Sequence, residues 1–373
     1  MKIIFVGGGT AGHINPALAL ADYVKTHDTS AKILYVGALG SMEEKLVTKA
    51  GYDFQGITVS GFSRGLNFNS IKKNIKTIKN IFISSIQSKK ILKKFAPDIC
   101  VGTGGYVCGT FLRESGKLGI PFLIHDSNSF PGLTTKLLAK RASKVLIVSE
   151  EAKKYLPQNI KTEITGTPVR NSIASMSKEK AKKILNLDDN PTILSFGGSL
   201  GARAINNVMS EVIPQALKNT NYNFIHGFGK NGHYFEKILK EKGINITNNS
   251  KLIIKEYIDN MDQCMAAADL VICRAGATTL SEIQISSKPA ILIPSPNVAE
   301  NHQFHNAMSL VNKNAADIIE EKKLSKDLLL SEIIKILGNN KQVATIYSKN
   351  LKKIAITNAS EKIYKIIKET ICK

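Results

Sequence analysis

The chain has 373 residues, 43% of them hydrophobic, and a formal net charge of +21. That length exceeds one ordinary core and fits two domains, while the longest apolar stretches are strand-sized, short of the roughly 20 residues of a transmembrane helix. Only six arginines (Arg64, Arg113, Arg141, Arg170, Arg203, Arg274) contribute to the charge, which argues against nucleic-acid readout by guanidinium forks. Five scattered cysteines (Cys100, Cys108, Cys264, Cys273, Cys372) form no Cys-x-x-Cys pair and read as reduced thiols. The first apolar run is too short for a signal peptide, so the chain is expected to stay in the cytoplasm.

An apolar strand at residues 2–6 runs into Gly7-Gly8-Gly9-Thr10-Ala11-Gly12-His13, and a helix is expected from Pro16. Glycine lets the backbone approach an anion, and the helix N-terminus supplies unpaired N–H groups and a positive dipole end. Gly7-x-Gly9-x-x-Gly12 also satisfies the dinucleotide fingerprint, but the second strand, residues 32–36, ends in Gly37-Ala38-Leu39-Gly40 with no acid for a ribose. A nicotinamide or flavin cofactor is therefore disfavoured. No Gly-Lys-Ser/Thr closes the turn, so a Walker loop fails as well. His13, beside the phosphate turn, suits two roles: hydrogen-bonding the turn itself, or acting on a ligand as base or anion contact.

Residues 54–97 contain no acid, but they hold Arg64 and eight lysines (72, 73, 76, 79, 89, 90, 93, 94). Within them Ile71, Ile75, Ile78, Phe82 and Ile86 recur at helical spacing, giving a helix with one apolar face and basic flanks. Such a helix either packs that face on a sheet or docks it on anionic lipid. Further strands are expected at residues 99–102, 121–125 and 144–148. The first of these leads into Gly104-Gly105-Tyr106, another run of backbone donors, and the second into His125-Asp126-Ser127-Asn128, where Asn128 can pair with sugar hydroxyls.

Gly166-Thr167-Pro168 reads as a hinge, and the domain boundary is placed at residue 166. Beyond it the pattern starts again, with strands expected at residues 192–196, 222–226, 251–254, 270–273 and 290–293. Gly197-Gly198-Ser199-Leu200-Gly201 forms a second phosphate-type turn. Cys273-Arg274-Ala275-Gly276 opens a helix carrying Ala277, Thr278, Thr279, Leu280, Ser281 and Glu282, the last placed to accept bonds from a ribose diol. Asn301-His302-Gln303 suits neutral polyhydroxyl groups. Polar clusters at the ends of successive strands make a nucleotide-sugar site the economical account. With no Asp-x-Asp pair and no metal-ligand spacing among the histidines, no metal is expected. The last stretch, residues 349–373, is expected to form one lysine-rich amphipathic helix anchored by Ile354, Ile363, Ile366 and Ile367.

These ordered motifs resemble the MurG family of bacterial N-acetylglucosaminyltransferases over nearly the whole chain. The resemblance implies an α/β GT-B fold of two Rossmann-like, doubly wound parallel-sheet domains facing a cleft. An acceptor and membrane-side domain would span 1–165, with the helix at 349–373 packing back on it, and a UDP-GlcNAc domain would span 166–348. The implied reaction is inverting transfer of GlcNAc from UDP-GlcNAc to the C4 hydroxyl of undecaprenyl-pyrophosphoryl-MurNAc-pentapeptide, at the cytoplasmic face of the plasma membrane, without a cofactor. Its partners would be the donor, the lipid-linked muramoyl-pentapeptide and an anionic membrane surface, with no nucleic acid.

By matching positions, His13 is the candidate base, while Thr10, Ala11, Gly12, Asn128, Arg170, Ser199, Ile258, Ala277, Thr278, Thr279, Leu280, Ser281, Glu282 and Gln303 line the donor. Within that set the backbone at Ile258 would read uracil, Glu282 the ribose, Ser199 and Arg170 the phosphates, and Asn128 with Gln303 the sugar. Residues 10–13 would also face the acceptor diphosphate, with Gly104, Gly105 and Tyr106 on the acceptor side. The sequence departs from the family pattern at Ala11, Thr110, Asp126, Ser127, Thr167 and Leu200, where Gly, Pro, Glu, Gln, Asn and Gln are usual. Alternatives on the same fold are a UDP-sugar epimerase, another glycolipid glycosyltransferase or a non-catalytic binding protein.

Overall fold

The computed structural model describes residues 1–59, 68–170, 172–247 and 249–372, excluding the side chains of 68–76, 78, 174, 175, 299 and 339. The chain forms two compact units, Met1–Val169 with Ile356–Lys373, and Arg170–Ala355.

In the first unit β1 (Lys2–Gly7), α1 (Ala11–His27), β2 (Lys32–Ala38), α2 (Met42–Lys49), β3 (Asp53–Ile57) and α3 (Phe68–Phe95) are followed by β4 (Ile99–Gly104) and α4 (Tyr106–Lys117). Then come β5 (Phe122–His125), α5 (Leu133–Leu138), β6 (Lys144–Ile147), α6 (Glu150–Lys153) and β7 (Thr162–Ile164). The seven strands pair in parallel in the order β3-β2-β1-β4-β5-β6-β7.

Alternate residues of β1 serve opposite faces, as the period of two requires. Ile3 and Phe5 join α1 on one face, and Ile4 and Val6 meet Ile91, Leu92, Phe111 and Leu112 on the other. Strand order reverses between β1 and β4, so a crevice opens beyond their carboxyl ends, where the Gly7 and Gly104 turns sit.

The second unit runs α7 (Ser172–Ser175), α8 (Lys178–Ile184), β8 (Thr192–Phe196), α9 (Arg203–Asn219), β9 (Asn223–Gly227), α10 (Tyr234–Glu241) and β10 (Leu252–Lys255). It continues with α11 (Met261–Ala267), β11 (Leu270–Cys273), α12 (Ala277–Ser286), β12 (Ala290–Leu292), α13 (His302–Val311), β13 (Asp317–Ile318), α14 (Lys326–Leu337) and α15 (Gln342–Ile354). Its six parallel strands are ordered β10-β9-β8-β11-β12-β13, with the reversal between β8 and β11. The Gly197 turn and the Arg274-Ala275-Gly276 turn therefore occupy the same topological position as their counterparts in the first unit.

Three expectations need correction. Strands β3, β7 and β13 were not foreseen; they are short, and none has a fully buried residue pattern. Helix α1 starts at Ala11, with Pro16 inside it, which places His13 in the first turn. The terminal stretch is not one helix from residue 349. Leu351 belongs to the second unit's core, α15 ends where Ala355 turns extended, and only α16 (Ala359–Ile371) returns to the first unit. There Ile363, Ile366 and Ile367 are buried against α1, each isoleucine contributing about 1.5–3 kcal/mol. Ile354 lies against the second unit's core instead.

Candidate active site

In the first unit the two glycine turns interlock through backbone. Gly105 has φ 88°, and a Cβ there would lie 2.3 Å from the carbonyl oxygen of Gly8, while Gly8 N–H donates to the Gly104 carbonyl at 3.3 Å. No side chain fits between them, which accounts for glycine at 105. Tyr35 Oη donates to Gly7 O at 3.0 Å, and Cys108 Sγ to Val6 O at 3.0 Å, bracing the turn from below. Tyr106, 63% exposed, starts α4 immediately beyond the turn.

Thr10 is the N-cap of α1 and uses its carbonyl, not its side chain, to accept from His13 N and Ile14 N. Ala11 and Gly12 form the first helical residues, so the turn and the dipole end coincide. The His13 ring is fixed by Nδ1, 3.0 Å from Thr103 O, and Thr103 Oγ1 donates back to His13 O at 2.6 Å. A carbonyl only accepts, so Nδ1 carries the proton and Nε2 is the basic nitrogen.

The loop after β5 is organised by Asp126, 6% exposed. One oxygen accepts from Asn128 N and Nδ2, both at 3.0 Å; the other accepts from Gly132 N at 2.8 Å and Thr135 Oγ1 at 2.7 Å. Asn128 is thus oriented by a residue that the sequence suggested only as a neighbour. His125 is buried and donates from Nε2 to Gly166 O at 2.8 Å, a structural tie.

A carboxylate absent from the end of β2 in sequence is present there in space. Glu43, on the first turn of α2 and 1% exposed, accepts from Ala38 N at 3.0 Å and Gly9 N at 3.3 Å. It lines a recess of about 240 Å³ with Gly8, Gly9, Ser41, Met42, Tyr106 and Val107 among its other walls. Only an acid within a few residues of a strand end would have hinted at it.

In the second unit, Gly198 has φ 90° and Gly201 φ 82°, and the turn is held by Lys230 N donating to Ser199 O and Asn231 N donating to Leu200 O, both at 3.1 Å. The Leu200 side chain is 55% exposed. Ile258, in the β10–α11 connection, is buried with its side chain against Gly227.

Helix α12 begins after Gly276, so the first-turn N–H groups belong to Ala277, Thr278 and Thr279. Two further residues of this helix, Leu280 and Ser281, are engaged within the fold. Leu280 points into the core, 5% exposed, and its N–H donates to Gly276 O; Ser281 Oγ donates to Ala277 O at 3.2 Å. Helical periodicity turns position 280 inward, away from the N-terminal opening.

Burial pushes the Glu282 carboxyl up to about 7, with Arg170 as the opposing charge. Gln303 Oε1 accepts from Ser295 N at 2.9 Å, fixing its amide so that the NH₂ group is the end presented elsewhere. Arg274, paired with Glu321 and donating to Ile293 O at 3.1 Å, is committed to the scaffold. Among the described residues no group of three or more His, Cys, Asp or Glu could hold a metal ion.

The glycosyltransferase family 28 N-terminal domain matches residues 3–147 and the family 28 C-terminal domain matches residues 192–369. An Acetivibrio thermocellus protein is 40% identical over 99% of this chain and 98% of its own length, and one from Ruminiclostridium cellulolyticum is 41% identical over 100% of both. Both are named UDP-N-acetylglucosamine--N-acetylmuramyl-(pentapeptide) pyrophosphoryl-undecaprenol N-acetylglucosamine transferase. The chain belongs to the MurG family. The crystal structure of Acinetobacter baumannii MurG superposes with a TM-score of 0.73 at 25% identity, covering 99% of each chain. An S. aureus MnaA–UDP structure, 13% identical with a TM-score of 0.70 over 99% of this chain and 96% of that one, shares the fold. MurG membership makes the two sheets a GT-B pair and the chain an N-acetylglucosaminyltransferase.

Proposed function

We propose that the chain moves GlcNAc from UDP-GlcNAc to the C4 hydroxyl of a lipid-linked N-acetylmuramoyl-pentapeptide, with inversion. The observation that carries this reading is the His13 ring, whose Nδ1 proton is committed to Thr103 so that Nε2 is left basic beside two glycine turns. His13 Nε2 takes the proton of the acceptor hydroxyl as its oxygen bonds to C1 of the sugar, and the bond from C1 to the UDP oxygen breaks. The first unit supplies the base, the N-terminus of α1 and the Gly104–Tyr106 turn for the acceptor diphosphate. The second unit supplies Glu282 for the ribose, the backbone at Ile258 for uracil, and Ser199, Arg170 and the N-terminus of α12 for the charge that develops on departing UDP. Asn128 and Gln303 address the donor sugar.

Membrane attachment forms part of the proposal. No helix among the described residues is long and apolar enough to cross a membrane. On α3, however, Phe82 and Ile86 are 68% and 70% exposed, while Ser84, Ser88, Ile91 and Leu92 take the buried side. Helix α4 packs between α3 and α5, where Leu133 and Leu137 are 65% and 71% exposed. Lys79, Lys89, Lys90, Arg113 and Lys140 surround these apolar side chains in sequence and are exposed. Side chains of Arg64, Ile71, Lys72, Lys73, Ile75, Lys76 and Ile78 lie outside the described residues. This combination suits peripheral binding to an anionic cytoplasmic leaflet.

The test is UDP release from UDP-GlcNAc with and without a short-chain lipid-linked muramoyl-pentapeptide, in EDTA. Release that requires the acceptor and survives chelation is the expected result; release or isomerisation without acceptor would overturn it in favour of a hydrolase or epimerase.

A further inference from the structure

Glu43 is a buried carboxylate that the reaction outlined above does not use, and it occupies a telling place. Its oxygens accept from Gly9 N–H in the first glycine turn and from Ala38 N–H at the end of β2. A Cβ at Gly8 would lie 2.2 Å from Glu43 Oε1, and one at Gly37 would lie 2.4 Å from Glu43 Cγ. Glycine at both positions therefore makes room for this side chain, one in each of two motifs. The carboxylate fills the space where a Rossmann-like half would seat the ribose of a dinucleotide, and it has already engaged one N–H of the phosphate turn.

We infer that Glu43 is the positioning residue of the acceptor turn. It clamps residues 8–9 to the β2–α2 connection, and its charge denies the Gly8–Gly9 end of the turn to phosphate. An acceptor diphosphate is thereby confined to the α1 end, residues 10–13, next to His13. The inference deepens the proposed transferase reading and rests on it for the identity of the acceptor.

Two variants separate charge from volume. Glu43→Gln keeps the packing against Gly8 and Gly37 but can accept from only one of the two N–H groups, and Glu43→Ala removes both. For Glu43→Gln the expected result is at least a tenfold fall in kcat/KM for the acceptor, with the dissociation constant of UDP unchanged within twofold. Hydrogen exchange, read on ligand-free protein, is expected to lose protection in residues 8–13 and to stay unchanged across the second unit. Acceptor kinetics and exchange equal to wild type in Glu43→Gln would overturn the inference, as would acceptor and UDP binding weakening together. Should wild-type protein show no transfer at all, the transferase reading fails, whereas the exchange result still decides whether Glu43 clamps the turn.

Discussion

His13 Nδ1 lies 3.0 Å from the carbonyl oxygen of Thr103, and that single bond selects the tautomer of the ring. It also links the first glycine turn to the second, since Thr103 immediately precedes Gly104. Substituting His13 by Ala is expected to lower kcat by about 10²- to 10⁴-fold, the range of a lost general base, while leaving the UDP dissociation constant unchanged. Steady-state UDP release and calorimetric titration with UDP would measure the two quantities, and equal loss in both would remove His13 from the chemistry.

Glu282 is expected to give UDP binding a pH dependence. Burial raises its carboxyl to about 7, so the folded unit holds a proton that the unfolded chain has released from about pH 4.5 upward. Its contribution to stability is full below that range and is lost as pH rises through about 7. Ribose hydroxyls, as donors, favour the ionised form. UDP affinity is therefore expected to rise with pH across this interval, and Glu282→Gln to flatten the profile and weaken binding at pH 8. The same variant should melt a few degrees higher than wild type at pH 8 and not at pH 5.

Asp126 meets four donors, two of them on Asn128. Asp126→Ala leaves buried N–H and hydroxyl groups unpaired and is expected to cost about 2–4 kcal/mol of first-unit stability. Asn128→Ala leaves those of Gly132 and Thr135 satisfied, so it should raise the KM for UDP-GlcNAc with a smaller change in melting temperature. Thermal unfolding alongside kinetics distinguishes the two; identical behaviour would dissociate Asn128 from the sugar.

Replacing Phe82 and Leu137 by Glu is expected to abolish binding to vesicles of anionic phospholipid and to leave turnover of a water-soluble acceptor within twofold. For wild type, vesicle binding should weaken as salt rises, because each nearby lysine contributes about 1 kcal/mol of screened attraction. Flotation with vesicles at graded salt makes the measurement, and salt-independent binding would point to insertion without charge.

Local chemistry was legible in the sequence, and tertiary placement was not. The strand–glycine–helix turns at Gly7 and Gly197 are written in consecutive residues, so their positions follow from local sequence alone. Periodicity put Phe82 and Ile86 on one helical stripe but could not say that the fold would bury the side bearing Ser84 and Ser88. Strand β13 has two residues, too few for any pattern. Leu280 matched a binding motif by position, yet its helical phase directs it into the core. Glu43 left only a faint trace, an acid shortly after the end of β2, because its importance lies in reaching a turn 34 residues away.

The return of α16 to the first unit has a consequence for how the chain is made. Residues 170–355 are continuous and can close their core once they have emerged, but the first unit waits for Ile363, Ile366 and Ile367, which follow them. The half whose synthesis begins first is thus completed last, and until then one side of α1 remains uncovered. A nascent chain stalled before residue 356 would carry a finished second unit and a first unit open to chaperones and proteases. Splitting the gene near its middle would accordingly yield one fragment that folds and one that does not, unless residues 356–372 were supplied in trans.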